Sequence, residues 1–339
     1  MPAAWIETPG AIIRLQSRSL EVTLPAPARQ DESVTPPVDM PLAEIEHLIV
    51  AEGVRLTFPA LCAALQHDIP VLIHDWRGNV LGTFLPPAGP QAAMRLQQYQ
   101  RSMDSAFATA ITRRLIQAKV RNQRRLLSRL HATRPRETVP LALDHMAALL
   151  AETDRAADIP ALRGLEGAAS ANAWAAWAAF LPPDFPFRQR STRPPRCPVN
   201  AVLSYLSSIL YGEVLAACHR RGLDPGLGHL HTTADRRWSL PLDLMEPFRP
   251  AIIEATALRL FTHKMMDAAS YFEARDGGIF LTPSGRRLVA EQFDRRVSRP
   301  FHSEHAGHST TLRKQITATI LSYRQALEDP SAFRPFIMN

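Results

Sequence analysis

The chain has 339 residues, of which 39 are Lys or Arg and 32 are Asp or Glu, giving a formal charge of +7. Apolar types make up 46% and charged types 21%, a globular composition that excludes a disordered chain; at roughly 150 residues per domain, two domains are expected. No apolar run approaches the roughly 18 residues of a membrane span, MPAAWIETPG does not read as a secretory signal, and three scattered cysteines (Cys62, Cys197, Cys218) exclude a disulfide scaffold and a CxxC zinc knuckle, so a reducing cytoplasm and no membrane are expected.

The first part of the chain is patterned in short extended runs. AIIRL, LEVTL, HLIVAEGVRLTF and VLIHDWRGNVLGTF are rich in β-branched residues and broken by Gly and Asp, which predicts strands. Arg77-Gly78-Asn79 predicts a hairpin turn, and Leu56 to Leu65 a short helix. Pro25, Pro27, Pro36, Pro37 and Pro41 predict a loop over 25–41, and PPAGP at 86–90 a linker. These readings give a small β-rich domain over 1–86 and a linker at 87–90.

From residue 91 the period changes. Leu96, Tyr99, Met103, Phe107, Ile111, Leu115 and Ala118 recur every three or four residues, and Leu126 and Leu130 extend the stripe, which predicts one long amphipathic helix. Further helices are predicted at 138–152, 159–180, 199–221, 251–273, 284–297 and 310–328. Residues 182–198 hold six prolines and cannot be one helix. The expected fold class is α+β in two domains, the second an all-helical catalytic domain over 91–339.

Charge is concentrated. Between Arg95 and Arg136 lie eleven basic residues against one acid, Asp104, so this segment carries +10 and the rest of the chain sums to −3. Arg188, Arg190, Arg193 and Arg196 form a second cluster without acids. Such clustering is the footprint of a polyphosphate partner, although a solvated basic helix shows it too. Arg113, Arg114, Lys119, Arg121, Arg124 and Arg125 on the helix, with Arg190 and Arg193 in the loop, are the expected DNA contacts.

No phosphate-binding glycine loop, GxSxG elbow or HExxH motif occurs, so chemistry must come from carboxylates and histidines. Glu166, in LRGLEGAASANAW, reads either as a partly enclosed functional carboxylate or as a surface residue of an Ala-rich helix. Asp243 and Glu246 in SLPLDLMEPFRP share a helical face, on a turn that Pro247 and Pro250 kink or shorten. With His229 or His231 upstream they read as cation ligands, or as a helix cap with an exposed Glu. Oxygen ligands suit Mg²⁺ or Mn²⁺, and an imidazole favours Mn²⁺. His302, His305 and His308 lie in HSEHAGH at a spacing that suits neither a helical pair nor a zinc site, and they predict a mobile loop.

At these stretches the chain resembles the CRISPR-associated endonuclease/integrase family, CRISPR-associated protein one, the larger subunit of the spacer-acquisition complex. The matching stretches, in order, are IPVLIHDWRGNVLG, AKVRNQRRLL with Lys119, Asn122 and Gln123, LRGLEGAA, RPPRCPVNAVLSYLSSILY, GLDPGLGHLH with SLPLDLMEPFRP, and FRPF. The resemblance implies that Glu166, His231 (not His229) and Glu246 hold the metal. It implies that Asp243 supports the site or contacts a second ion, and that Arg249 faces phosphate. Where the family carries an Arg and then a Tyr after the glutamate, this sequence has Ser170, Ala171 and Ala173, with Trp174 and Trp177 nearby. Cys197 stands where an Asp commonly precedes the PVN step.

The activity implied is metal-dependent transesterification. A 3′-hydroxyl of a short double-stranded DNA attacks the leader–repeat boundary of a CRISPR array, with hydrolysis as the side reaction, and proton transfer runs through Asp243 or solvent. The implied partners are a second copy in a homodimer and the small nuclease-fold subunit (CRISPR-associated protein two), which bridges dimers into a heterohexamer. Two other classes stay open from the sequence: a DNA-binding scaffold without turnover, and a transposase relative acting outside a CRISPR locus.

Overall fold

The structure, a computed structural model, describes residues 3–25, 36–86, 91–231, 238–304 and 307–339. The chain divides into two compact units, Met1–Gln91 and Ala92–Asn339. The stretch read as a linker, 87–90, lies outside the described residues, as does His305.

In the first unit the strands are β1 (Ala3–Ile6), β2 (Ile12–Gln16), β3 (Ser19–Thr23), β4 (Val38–Pro41), β5 (His47–Ala51), β6 (Arg55–Leu56), β7 (Val71–His74) and β8 (Val80–Phe84), with helix α1 (Phe58–Gln66) between β6 and β7. Two four-stranded sheets form among the described residues, in the orders β1-β5-β7-β8 and β4-β3-β2-β6. β5 runs parallel to both β1 and β7 and is buried at every position, as expected of HLIVA in the middle of a parallel sheet. Ile13, Leu20, Val22, Met40, Leu48 and Val50 join Ala60 and Ala64 of α1 in one core. The β7–β8 turn is fixed by Asp75, whose Oδ1 accepts from the amides of Arg77 and Asn79, both at 2.8 Å, while Gly78 takes a φ of 84°. Of the loop expected over 25–41, residues 26–35 lie outside the described residues, and Val38–Pro41 form a strand. Pro41 closes edge strand β4, where no ladder donor is needed.

The second unit contains α2 (Ala92–Ser102), α3 (Ser105–Thr133), α4 (Thr138–Glu152), α5 (Ile159–Ala178), α6 (Pro198–Arg220), α7 (Ser239–Met245), α8 (Ala255–Thr262), α9 (Ala268–Tyr271), α10 (Pro283–Ser298) and α11 (Leu312–Ala326). It is not all-helical, which corrects the sequence reading. β9 (Phe272–Arg275) and β10 (Gly278–Leu281) pair antiparallel, as do β11 (Phe301–Ser303) and β12 (His308–Thr310). The first hairpin turns on Asp276-Gly277, with φ of 49° and 72°, a left-handed pair for which Asp-Gly is well suited. The helix expected over 251–273 therefore stops at Thr262. The expected mobile loop around His302 and His308 is a hairpin that places His302 on β11 and His308 on β12.

The single long helix expected from residue 91 is two helices. Asp104 caps α3 by accepting from the amides of Ala106 (3.0 Å) and Phe107 (3.1 Å). The break changes which face is buried. Phe107, Ile111, Leu115 and Leu126 stay in the core, but Leu96, Tyr99 and Met103 are exposed. On α2 the buried side chain is Gln98, which exchanges two hydrogen bonds with the backbone of Asp224. α6 has the length and hydropathy of a membrane span, yet 72% of its most apolar window is packed inside this unit.

Pro247 and Pro250 shape the segment that carries the acidic pair. α7 passes into a 3-10 turn (Glu246–Phe248), then a π-helical turn (Pro250–Glu254), then α8. Proline offers no amide to an α-helical ladder, so the backbone pairs at other spacings and the chain bends without stopping.

Candidate active site

Four pieces of the second unit meet at one place: the middle of α3, the first half of α5, residues 228–231, and the α7 to 3-10 junction. Asn122 on α3 anchors them and is completely buried. Its Nδ2 donates to the carbonyls of Pro247 (2.7 Å) and Phe336 (2.9 Å), and its Oδ1 accepts from the amide of Met338 (2.8 Å). Phe336 stacks on Phe248, with centroids 4.8 Å apart. Every polar atom of Asn122 is used, so the turn carrying Glu246 is fixed to α3.

Glu166 projects from α5 and Glu246 from the 3-10 turn, and both reach the ammonium of Lys119. Nζ lies 2.5 Å from Oε1 of Glu166 and 2.5 Å from Oε2 of Glu246. Ser170, one turn after Glu166, donates to the same Oε1 at 2.7 Å. Arg249 approaches the other oxygen of Glu246 at 3.5 Å. Burial alone would raise the Glu246 pKa, but Lys119 and Arg249 outweigh it and hold the carboxyl at about 2. Burial likewise opposes the charge on Lys119, and the two glutamates overcome it and raise its pKa. Both partners are thus ionised at neutral pH.

Asp243 is fully buried and organises the GHLH step. Its Oδ2 accepts from the amides of His229 (2.5 Å) and Leu230 (2.9 Å), and its Oδ1 from the amide of His231 (2.9 Å). Nδ1 of His231 lies 2.7 Å from the same Oδ1. An ionised carboxylate can only accept, so Nδ1 carries the proton and Nε2 has the free lone pair. Four donors occupy the two oxygens of Asp243. With these four bonds in place Asp243 anchors residues 229–231. Arg163 holds the step from α5 by donating from Nε to the carbonyl of Leu230 at 2.7 Å. Gly228 has no room for a side chain, because a Cβ there would meet Ser239 at 2.7 Å.

The two histidines go opposite ways. His229 is buried, its Nε2 lies 2.8 Å from the hydroxyl of Tyr323, its ring packs edge-on to Phe107, and burial lowers its pKa. His231 is partly exposed and close enough to Glu246 to help lower that carboxyl's pKa. Among the described residues no three acid, His or Cys side chains form a preassembled cation site; Lys119 stands between the two glutamates. The donor set nonetheless fits a divalent ion. Two carboxylates from separate elements converge on one positive centre, and an imidazole is oriented with Nε2 available, which is an O/N set suited to Mn²⁺ or Mg²⁺.

The basic residues divide. Arg113 donates to the carbonyls of Thr153 (3.0 Å) and Ala156 (2.8 Å), Arg114 to those of Pro330, Ser331 and Phe333, and Arg124 to that of Leu143. These three tie helices together through their guanidinium groups. Lys119, expected to contact DNA, is buried between the acids, which corrects that assignment. Arg121, Arg125 and Arg193 are exposed, although Arg125 also donates from Nε to the carbonyl of Asn339. Arg190 is half-buried, held by Oδ1 of Asn200 (2.9 Å) and Oγ of Ser204 (3.1 Å). Burial and then the positive charge of Arg249 lower its pKa to about 10, so two guanidinium groups face one neighbourhood beside Glu246.

The sequence reading places Lys119 on DNA and not among the acids, although a signal for the latter was present. Leu115, Lys119, Asn122, Gln123 and Leu126 fall on one helical stripe, and a lysine inside an apolar stripe asks for buried acids. It also missed Ser170, and Glu254 on the π-helical turn. Burial raises the Glu254 pKa to about 7, against the opposing charges of Arg249 and Lys119. The stability contributed by its protonated form is complete below the ordinary pKa near 4.5 and is lost as pH rises toward 7. Glu254→Gln should therefore melt within a degree or two of wild type at pH 5. By pH 8 it should be more stable by up to about 3 kcal/mol, read by calorimetry at both pH values; an equal offset at the two would contradict this.

Of the positions where the sequence departs from the family pattern, Ser170 bonds Glu166, Ala171 is exposed and Ala173 packs in the core. Ala173 and Trp177 are buried, and Trp174, Trp177 and Phe187 form an aromatic cluster with centroids 5.4 to 5.7 Å apart. Cys197 caps α6, and its Sγ lies 3.3 Å from Nδ2 of Asn200.

A β-rich unit followed by a helical unit that gathers two glutamates, a lysine and an aspartate-anchored histidine defines the class: a two-unit α+β protein with a charged site between helices. The sequence model of the family described as CRISPR associated protein Cas1 matches residues 4–295, and the chain belongs to that family. It is 32% identical over 288 residues to a CRISPR-associated endonuclease Cas1 of Thermus thermophilus, covering 85% of each chain. It is 32% identical over 328 residues to a Cas4/Cas1 fusion of Rhodospirillum rubrum, covering 93% of this chain and 54% of the fusion's length. A casposase bound to its integration product shares the fold, with a TM-score of 0.84 over 99% of this chain and 92% of that one, at 21% identity.

Proposed function

We propose that the chain is a divalent-metal-dependent DNA endonuclease and integrase of CRISPR adaptation, joining the 3′-hydroxyl ends of short duplexes to a CRISPR array by transesterification. One observation carries this most directly: Glu166 and Glu246 converge on a single cationic centre beside an imidazole that Asp243 orients. Glu166, Glu246 and His231 would hold the ion. A bound Mg²⁺ or Mn²⁺ would supply a Lewis acid for a non-bridging phosphate oxygen and lower the pKa of the attacking hydroxyl. Asp243 keeps the His231 proton on Nδ1, so the ligating nitrogen stays free. Arg249, with Arg190 behind it, provides positive charge for the phosphate. Asp243 is saturated with donors, so the hydroxyl proton passes to solvent. A second copy of the chain and the small CRISPR-associated subunit complete the assembly, as the family resemblance implies.

The test is strand transfer. Purified protein, a short duplex with free 3′-hydroxyls, a supercoiled plasmid and Mn²⁺ are combined with and without the small subunit. Relaxed plasmid covalently carrying the duplex is expected. A duplex that is bound but never joined under any metal or partner condition would make the chain a scaffold.

Binding should depend steeply on salt, because Arg121, Arg125, Arg193 and Arg249 contact phosphates rather than bases. Affinity is expected to fall by roughly a hundredfold between about 50 and about 200 mM salt. An Arg121→Ala, Arg125→Ala double variant should flatten the log–log slope by about 2. A wild-type affinity that hardly changes over that range would remove the phosphate assignment.

A further inference from the structure

We propose that Lys119 is the resident cation of the metal-free site: its ammonium balances Glu166 and Glu246 until a divalent ion arrives, and the ion expels it from between them. This rests on the metal-site reading above and adds an exchange step to it.

The geometry is that of a cation held by charge. Nζ is 2.5 Å from one oxygen of each glutamate, and the two glutamates come from different elements. Oε2 of Glu246 is buried and accepts no hydrogen bond of acceptable geometry, so its contact with Nζ is an ion contact and not an aligned hydrogen bond. Oε1 of Glu166 already accepts from Ser170. The ammonium therefore touches one oxygen of each carboxylate, the position for which a cation held by both glutamates would compete.

Charge prevents sharing. Two carboxylates carry −2, and Lys119 with the nearby Arg249 brings the group to zero. A dication added with Lys119 in place makes a buried group of +2, with two cations at bonding distance from the same oxygens. Removal of the ammonium leaves +1. A lysine can make this move because it is a point charge on a flexible stem, whereas an arginine fork would be locked into both carboxylates. The same contact explains how the two glutamates stay close in the metal-free protein without repelling each other apart.

The chain makes the experiment simple, because it has three lysines, and Lys264 and Lys314 are exposed while Lys119 is buried. Wild-type protein labelled with ¹³C at lysine Cε is titrated with Mg²⁺, with assignments from Lys264→Arg and Lys314→Arg. In parallel, Mn²⁺ affinity is measured by the electron paramagnetic resonance of free Mn²⁺ for wild type, Lys119→Met and Glu166→Gln. The Lys119 resonance should start away from the other two and move as metal binds, with the midpoint of metal binding. Lys119→Met should bind Mn²⁺ roughly tenfold more tightly or better, the usual size of coupling between competing ligands, and Glu166→Gln should lose binding. Metal binding that leaves the Lys119 resonance in place, or a Lys119→Met affinity equal to or weaker than wild type, overturns the exchange and leaves the metal site standing. No Mn²⁺ binding by either wild type or Lys119→Met overturns the metal site itself, and the exchange with it. The wild-type titration decides the matter alone if the methionine variant does not fold.

Discussion

Glu246→Gln is expected to abolish strand transfer, with a loss of at least ~1000-fold, or about 4 kcal/mol of transition-state stabilisation. The side chain keeps its shape, and only its charge and one acceptor oxygen are lost. Glu246 has several roles that depend on that charge. It is a ligand of the proposed metal, it faces Arg249 at 3.5 Å, and it holds Lys119 at 2.5 Å. Its carboxyl is ionised down to about pH 2, so the wild-type site carries this charge at any working pH. Fold stability should fall as well, because Lys119 is buried and the neutral amide leaves its ammonium with Glu166 as the one remaining anionic contact among the described residues. The measurement is joined product per hour in Mn²⁺, with DNA affinity and melting temperature recorded on the same preparation. Activity within tenfold of wild type would remove Glu246 from the metal set.

Asp243→Asn is expected to damage both fold and site. The carboxylate accepts four hydrogen bonds, two at each oxygen. Asparagine has one acceptor oxygen and one donor nitrogen, so two of the four donors must face an N–H. Each buried donor left without a partner costs about 1–3 kcal/mol, which puts the total loss near 3–5 kcal/mol. His231 would also lose the acceptor that fixes its proton on Nδ1, and loss of such an outer partner typically weakens a metal site 10–100-fold. Thermal unfolding and Mn²⁺ affinity together check this. A variant that melts like wild type and binds metal equally well would show that the GHLH step does not depend on Asp243. The result also separates the two acids of DLME, since only Asp243→Asn removes acceptors from the backbone of residues 229–231.

The candidate site is partly legible in the sequence. The family resemblance singles out Glu166, His231 and Glu246, and the fold brings Glu166 and Glu246 together on Lys119 while His231 stands near Glu246. Spacing cannot choose between His229 and His231, because the residues are two apart in a segment without regular periodicity. The choice follows from Asp243 and Tyr323, which bind one histidine each. Glu254 and Ser170 give little sign of themselves. A glutamate in PAIIEATAL reads as an exposed helical residue, and the π-helical turn places it in the core.

The arginines show the limit of charge counting. The segment from Arg95 to Arg136 carries its +10 wherever the side chains point, so the inference of a polyanionic partner stands on the sequence. Which arginines are free for that partner does not. Arg113, Arg114 and Arg124 donate to carbonyls between 19 and 219 residues away. A cation on a helix is equally compatible, in sequence, with a phosphate or with the bare carbonyls at a neighbouring helix end.

The sequence by itself determined the β-rich and helical halves, most helix spans and the types of ligand available, because hydrophobic period, proline placement and Asp or Gly at turns act within a few residues. The Asp276-Gly277 turn carries a local signal of the same kind, yet the sequence reading expects no strands there. The tertiary structure alone decided that Lys119 lies between two acids, that Asp243 collects four donors from residues 229–231, and that α2 turns Leu96 and Tyr99 outward. These outcomes depend on satisfying buried charges and amides across long stretches of chain. The partner that does so, Glu166 for Lys119 at 47 residues or Pro247 for Asn122 at 125, leaves no mark on local periodicity.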